Sequence, residues 1–235
     1  LGRNLMKHLM TVIVERGAAD NDGTFLPSVS VNDFYWGDEY FKYPMGHIEN
    51  SGGLLQDIVF AESPPLLSVL AQFLPGAGLQ QLVKRSIGWW AQTGTLPKPE
   101  NRVYWQESKR FDGLSRKKLR YEFTPNNLEA HDRLVYRWMG VLKDMENTGM
   151  GLRQSTVYPR GESPTQVVGY QCGTARMGTD PATSVLDVNC RTHEIDNLYV
   201  VDSSFFPSCA SVSPALTVMA NALRVGDHLI SRLTA

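Results

Sequence analysis

The chain has 235 residues, 42% of them hydrophobic and 20% charged, with a formal net charge of −1. That composition fits a globular protein with one large core or two modest ones. It argues against a nucleic-acid or anionic-membrane partner, which would favour a basic face, and no run of 18 apolar residues is present to span a bilayer.

The sequence opens at Leu1-Gly2-Arg3-Asn4 with no signal-peptide pattern, in the manner of a stretch from inside a longer protein. His8 follows Lys7 and reads as a surface histidine. Residues 24–60 read as extended structure: Phe25 to Val31 alternate, and Asp33 to Trp36 with Tyr40, Phe41 and Tyr43 are aromatic-rich. Asn50-Ser51-Gly52-Gly53 is a turn signal. Strands of this kind suit an antiparallel sheet with one covered face, in which His47 is structural. Leu66, Leu67, Val69, Leu70, Phe73 and Leu74 have helical spacing, ended by Pro75-Gly76, and a second helix is expected over Leu79–Trp90. Trp89 and Trp90 suit packing and a substrate entrance equally.

Asn101 to Trp105 begins another strand, Ser108 to Lys118 reads as a solvated hairpin tip, and Leu119 to Phe123 as an alternating strand. Asn126 or Asn127 then caps a long amphipathic helix through Leu134, Met139, Val141, Leu142 and Met145 to Gly149, with Glu129 hinting at a capping box. His131 falls on its polar side, toward solvent. Residues 150–168 cross back through turns at Pro159 to Gly161 and Glu162 to Pro164. Cys172, Cys190 and Cys209 are unevenly spaced and form no CxxC pair, so they indicate neither zinc nor a disulfide framework and read as buried free thiols.

Near the end, Leu198-Tyr199-Val200-Val201 has the length and composition of a core strand, and Asp202 ends it with a carboxylate. Ser213 reads as an N-cap and Pro214 as a first-turn residue of a helix carrying Leu216, Met219, Ala220, Leu223, Asp227 and Ile230. A strand end, a helix N-terminus and an acid at their seam suit an electron-rich ring. Spacing alone leaves an ordinary strand–loop–helix equally open. No nucleotide-binding turn is found: Gly76-Ala77-Gly78 lacks the third glycine of GxGxxG and follows no strand, and Gly149-Met150-Gly151 also fails.

Gly173-Thr-Ala-Arg-Met-Gly178, Asp180-Pro181, Ser184-Val-Leu-Asp187, Cys190-Arg191, Asn197 to Asp202, Phe206-Pro207 and Pro214-Ala-Leu-Thr217 stand in one order. That order resembles the C-terminus of the glucose–methanol–choline (GMC) flavoprotein oxidoreductases, and most closely their bacterial sugar- and polyol-oxidising members of the gluconate-dehydrogenase type. The likeness is dense over residues 165–235 and thinner upstream, through Gly2 to Leu5, Val31 to Tyr35 and Glu100 to Arg102. It implies a mixed α/β and α+β fold. Residues 16–165 would form an antiparallel-sheet substrate domain with helices, whose aromatics line a sugar site or simply fill the core. Residues 1–15 and 166–235 would form a partial, Rossmann-like FAD-binding domain lacking its GxGxxG unit. A second chain, or a missing N-terminal half, would supply that unit.

The resemblance also implies chemistry. In the family a base takes the hydroxyl proton of an alcohol and the carbinol hydride passes to FAD. Histidine, with a reference pKa of about 6.5, suits the base. The family's histidine position falls on Tyr170, and the Asn or His that precedes Pro-x-x-Thr falls on Ser213. A tyrosine titrates near 10 and is mostly protonated at neutral pH, so it donates or accepts a hydrogen bond more readily than it removes a proton. Three readings stay open: a tuned Tyr170, a base from the partner chain, or a noncatalytic flavin-scaffolding subunit that has lost the base. Asp202 and Ser203 are expected on the ribityl or pyrophosphate side of FAD, and Pro214, Ala215, Leu216 and Thr217 at its pyrimidine edge. Arg176 is expected in a salt bridge with Asp202 or Asp187. His193 falls outside the family's catalytic place.

Overall fold

The computed structural model describes residues 1–17, 20, 29–53, 84–106, 116–147, 152–157 and 171–234. The helix expected over Leu66 to Leu74, residues 108–115 of the hairpin tip, the turns at 159–164 and Tyr170 lie outside the described residues, while Arg116 to Lys118, expected in that tip, belong to a paired strand. In chain order the elements are β1 (Met6–Lys7), β2 (Leu9–Gly17), β3 (Ser30–Val31), β4 (His47–Gly53), β5 (Ser86–Thr93), β6 (Arg102–Gln106), β7 (Arg116–Arg120), α1 (Pro125–Asn147), β8 (Leu152–Val157), β9 (Gln171–Cys172), a 3-10 turn (Ser203–Phe205) and α2 (Ala215–Thr234). They form two compact units: Leu1–His8, Gly94–Asn127 and Val168–Ala235 make one, and Leu9–Thr93 with Leu128–Val167 the other.

The second unit holds the expected antiparallel sheet, with strand order β3-β4-β5-β2-β8. β2 is rich in β-branched residues, which fit a pleated surface, and it pairs antiparallel with β5 and β8 on its two edges. The helix expected over Leu79–Trp90 is overturned where it is described. Ser86–Thr93 is a strand paired on both sides, by β2 and β4. Trp, Ile and Thr favour that pleated setting, and tertiary pairing overrides a short apolar run that periodicity alone cannot assign. The turn expected at Asn50–Gly53 is also overturned: these residues continue β4, with an irregularity between Asn50 and Gly52. Gly52, at φ 78°, supplies the left-handed backbone that such a bulge uses. Asn32 to Tyr35, expected as extended, instead form turns.

One face of this sheet is covered by α1. Ala130, Leu134, Trp138 and Leu142 recur every fourth residue and pack with Ile13, Met45, Ile48, Trp89 and Ala91, the stripe of an amphipathic helix. Thr124, not Asn126 or Asn127, caps it: the Asn127 backbone N–H donates to Thr124 Oγ1 at 3.2 Å. Pro125 takes the first helical position, where its missing N–H costs nothing. His131, expected in solvent, is fully buried. Thr93 Oγ1 donates to the Met45 carbonyl at 2.7 Å, so it accepts from His131 Nδ1 at 2.9 Å, and His131 Nε2 lies 2.7 Å from Thr11 Oγ1. The Thr93 contact thus places a proton on Nδ1. His47 is structural as expected, between Asn32 and Glu49.

In the first unit, β1 pairs with β9 and β6 with β7. The strand expected over Leu119–Phe123 stops at Arg120. Ala175, Leu186, Cys190, Phe205 and Val225 form the core of this unit. Leu198–Val201 is not the expected buried strand. It makes only an isolated bridge, Arg191 to Tyr199, and Leu198 is exposed. The pairing expected of it goes instead to the 3-10 turn: the backbone N–H groups of Ala175 and Met177 donate to Ser204 and Phe205 carbonyls at 3.0 and 2.8 Å. Arg176 makes no expected salt bridge, because its Nε donates to the Thr183 carbonyl at 2.7 Å and closes its own loop. His193 likewise serves its loop, with Nε2 3.0 Å from Ser184 Oγ.

Candidate functional site

The seam singled out in the sequence is built from the 3-10 turn and the start of α2. Asp202 caps the turn: its Oδ1 accepts from the Ser204 N–H at 2.8 Å and from the Ser204 hydroxyl. The residue itself is exposed, and no described protein group bonds Oδ2. Ser203 faces the other way, its hydroxyl donating to the Gln171 carbonyl at 2.6 Å. The expected cap of α2 moves by one residue. Pro214, not Ser213, contributes the carbonyl that accepts the first helical bond, from Val218 N–H at 2.9 Å, which is the backbone signature of an N-cap. Ser213 is exposed.

Ala215, Leu216 and Thr217 open the helix and are all exposed. Their N–H groups are among those left without intrahelical partners at any helix start, and none is bonded by a described residue. The result is three aligned donors at the positive end of a twenty-residue helix. This donor set suits an acceptor-rich edge that gains negative charge, as the pyrimidine edge of an isoalloxazine does on reduction. Asp202, with one spare oxygen, suits hydroxyl donors such as a ribityl chain. Among the described residues there is no glycine-rich turn opening a helix to receive a pyrophosphate. These donors would suit the ring end of such a cofactor, and among the described residues no cradle for its nucleotide end is present.

α2 has two apolar faces. Val225 is buried, and Val218 and Leu229 pack on the core beside it. Around the helix, Leu216, Met219, Leu223, Ile230 and Leu233 are 78%, 56%, 74%, 63% and 82% exposed. The apolar spacing read from sequence therefore lies on the outward face of this chain.

A second cluster escaped the sequence reading. His8 is fully buried, not a surface residue. Its Nε2 lies 2.7 Å from the Ala210 carbonyl and 3.2 Å from Cys209 Sγ. A carbonyl only accepts, so Nε2 carries the proton and points it at both atoms. The neighbouring Cys172 thiol, the largest influence, draws the Cys209 thiol down to about 5, against the opposing effect of burial and with further help from His8. Cys209 and burial together push Cys172 far up. Residues 8, 172 and 209 carry no spacing signal. The ladder that pairs Met6 with Cys172 gathers them. All three cysteines are free, and among the described residues no cluster is suited to a metal ion.

A cavity of about 570 Å³ in the second unit is lined by Phe34, Tyr136, Arg137, Met139, Gly140 and Lys143, among others. It contains none of the candidate residues.

The profile of a family described as GMC oxidoreductase matches residues 97–222. 6'''-Hydroxyparomomycin C oxidase of Streptomyces lividus is 34% identical over 139 residues, 59% of this chain and 24% of that one. Paromamine 6'-oxidase of Streptomyces fradiae is 49% identical over 67 residues, 27% of this chain and 12% of that one. Among solved structures, a formate oxidase variant from Aspergillus oryzae superposes with a TM-score of 0.64 at 13% identity, over 98% of this chain and 47% of that one. The chain thus spans about a quarter or less of these curated relatives, and under half of the structural one.

Proposed function

Because the chain belongs to the GMC oxidoreductase family, whose members are oxidoreductases, we propose that it is the C-terminal portion of an FAD-dependent enzyme oxidising a CH–OH group of a sugar or polyol. The observation that carries this reading is the unpartnered donor set of Ala215, Leu216 and Thr217, set within motifs in the family's order. FAD, when bound, supplies the hydride acceptor. Asp202 holds its ribityl or pyrophosphate side in this reading, Ser203 braces that turn through the Gln171 carbonyl, and Pro214 with the three donors meets its ring edge. Tyr170 and Ser213 position the substrate hydroxyl by hydrogen bonds. The substrate class rests on the two relatives whose names give amino-sugar alcohols as their substrates. Residues 16–165 form the substrate side, and residues 1–15 and 166–235 the flavin side.

The outward apolar face of α2 extends the proposal to a partner. Side chains of this size at such exposure are costly in water, and more than half of the formate oxidase fold has no counterpart in this chain. A second polypeptide, or a preceding half, covers that face and brings the nucleotide-binding turn. Purifying this chain by itself with one bound flavin per molecule refutes the partner.

A second reading is favoured by one observation: tyrosine and serine stand where the family's histidine and its companion are expected. In that reading the chain is a noncatalytic, flavin-scaffolding subunit. Anaerobic mixing of the complete complex with a panel of sugars, amino sugars and polyols separates the two. Bleaching of the flavin band supports the enzyme, and an unchanged spectrum with every substrate supports the scaffold. If Tyr170→His raises the rate of bleaching, Tyr170 is a lost base; if it lowers the rate, Tyr170 works as it stands.

A further inference from the structure

We infer that Cys209 and Cys172 form a peroxide-reactive thiol pair, with Cys209 the attacking sulfur, Cys172 the resolving one and His8 the group that holds Cys209 ready. The geometry is specific. Cys209 is only half-buried and so reachable by a water-sized oxidant, whereas Cys172 behind it is 2% exposed. His8, two residues from the Met6 that pairs with Cys172, touches Cys209, and each of the two sulfurs is the strongest influence on the other. The His8 Nε2–H, anchored by the Ala210 carbonyl at 2.7 Å, stands 3.2 Å from Cys209 Sγ and stabilises charge on it. A depressed thiol beside a histidine is the setting in which cysteine reacts. The third thiol is a built-in control. Cys190 is fully buried, and its sulfur accepts from Asn221 Nδ2 at 3.3 Å.

The oxidant is hydrogen peroxide. The Cys209 sulfur attacks the distal oxygen, the O–O bond breaks, and the leaving oxygen takes the proton the thiol gave up, so one water and a sulfenic acid result. The Cys172 thiol then displaces the hydroxyl group from Cys209, an S–S bond forms, and a second water leaves with the Cys172 proton. In sum, hydrogen peroxide and two thiols give one disulfide and two waters, with two electrons moving from sulfur to oxygen. The product ties β9 to the loop just before Ser213, so oxidation fixes the approach to α2.

The test uses the full chain, native, treated with hydrogen peroxide, quenched, alkylated and mapped by mass spectrometry. The expected result is a Cys172–Cys209 crosslink reversed by dithiothreitol, with Cys190 left to the alkylating agent. Cys209 should react with iodoacetamide at neutral pH at least about tenfold faster than Cys190, and His8→Gln should slow it by about tenfold. Cys172→Ser should leave a sulfenic acid on Cys209 that dimedone traps. Three fully alkylatable thiols after peroxide, or oxidation of Cys190 as fast as Cys209, overturns the proposal. Because the crosslink is read on the unaltered chain, a variant that fails to fold does not protect it.

Discussion

His131 and Glu15 show how far a single polar side chain can depart from what its neighbours in sequence suggest. Both are polar side chains, Glu15 on a β-branched strand and His131 on the expected polar side of a helix, yet both are buried, His131 completely. His131→Phe keeps most of the volume but leaves the Thr11 hydroxyl without its histidine partner. A loss of about 2 kcal/mol in urea unfolding is expected, the usual cost of orphaning a buried hydroxyl. Glu15 accepts from Trp89 Nε1 at 2.8 Å, and burial, the largest influence, holds its carboxyl above the ordinary range. Folding therefore favours the protonated form, so stability falls as pH climbs from the unfolded value through the raised one. Glu15→Gln retains an acceptor for the indole and removes the charge. Its thermal midpoint should exceed the parent's at pH 7, and the difference should close as the pH falls toward 4.5. Neither role was legible beforehand, because long-range pairing sets them. The tyrosine and serine at positions 170 and 213 were legible, as departures from a family order.

At the scale of elements, the strongly periodic segments were readable and the short apolar ones were not. α1 was plain from its spacing, whereas Ser86–Thr93 lacks a period of its own and is a strand because β2 and β4 flank it. Thr124 was passed over as a cap because two asparagines follow it. Thr124→Ala should cost about 1 kcal/mol in helix and protein stability, and Asn126→Ala much less. Gly46 tests the sheet more severely. At φ 129°, a Cβ there would run into the Gln92 carbonyl across the β4–β5 ladder. Gly46→Ala must therefore push the two strands apart, and a loss of about 3 kcal/mol or more is expected in chemical denaturation.

Across the whole molecule, α2 presents two faces that behave differently. The sequence showed an apolar stripe but not its direction, because Val225, Val218 and Leu229 on the other face are the ones that pack on the core. Leu216→Glu combined with Leu223→Glu should leave the chain's own unfolding midpoint within about 0.5 kcal/mol, as surface changes do. The same pair should abolish flavin loading of the assembled complex, read as loss of the yellow absorbance. Val225→Asp, on the packed face, should instead unfold the first unit, read by circular dichroism. Equal effects from both sets of changes would remove the case for a covered face.

The pairing of Met6 with Cys172 also sets an order of events during synthesis. Met6 and Lys7 leave the ribosome well before Cys172 and Gln171, their ladder partners among the described residues, which are made some 160 residues later at roughly 5–20 residues per second. Until then His8 has neither sulfur to face, and the first unit waits as a loose end while the sheet of the second can already close around β2, β4 and β5. A nascent chain halted before residue 171 should therefore resist protease across that sheet while residues 1–8 stay open to cleavage.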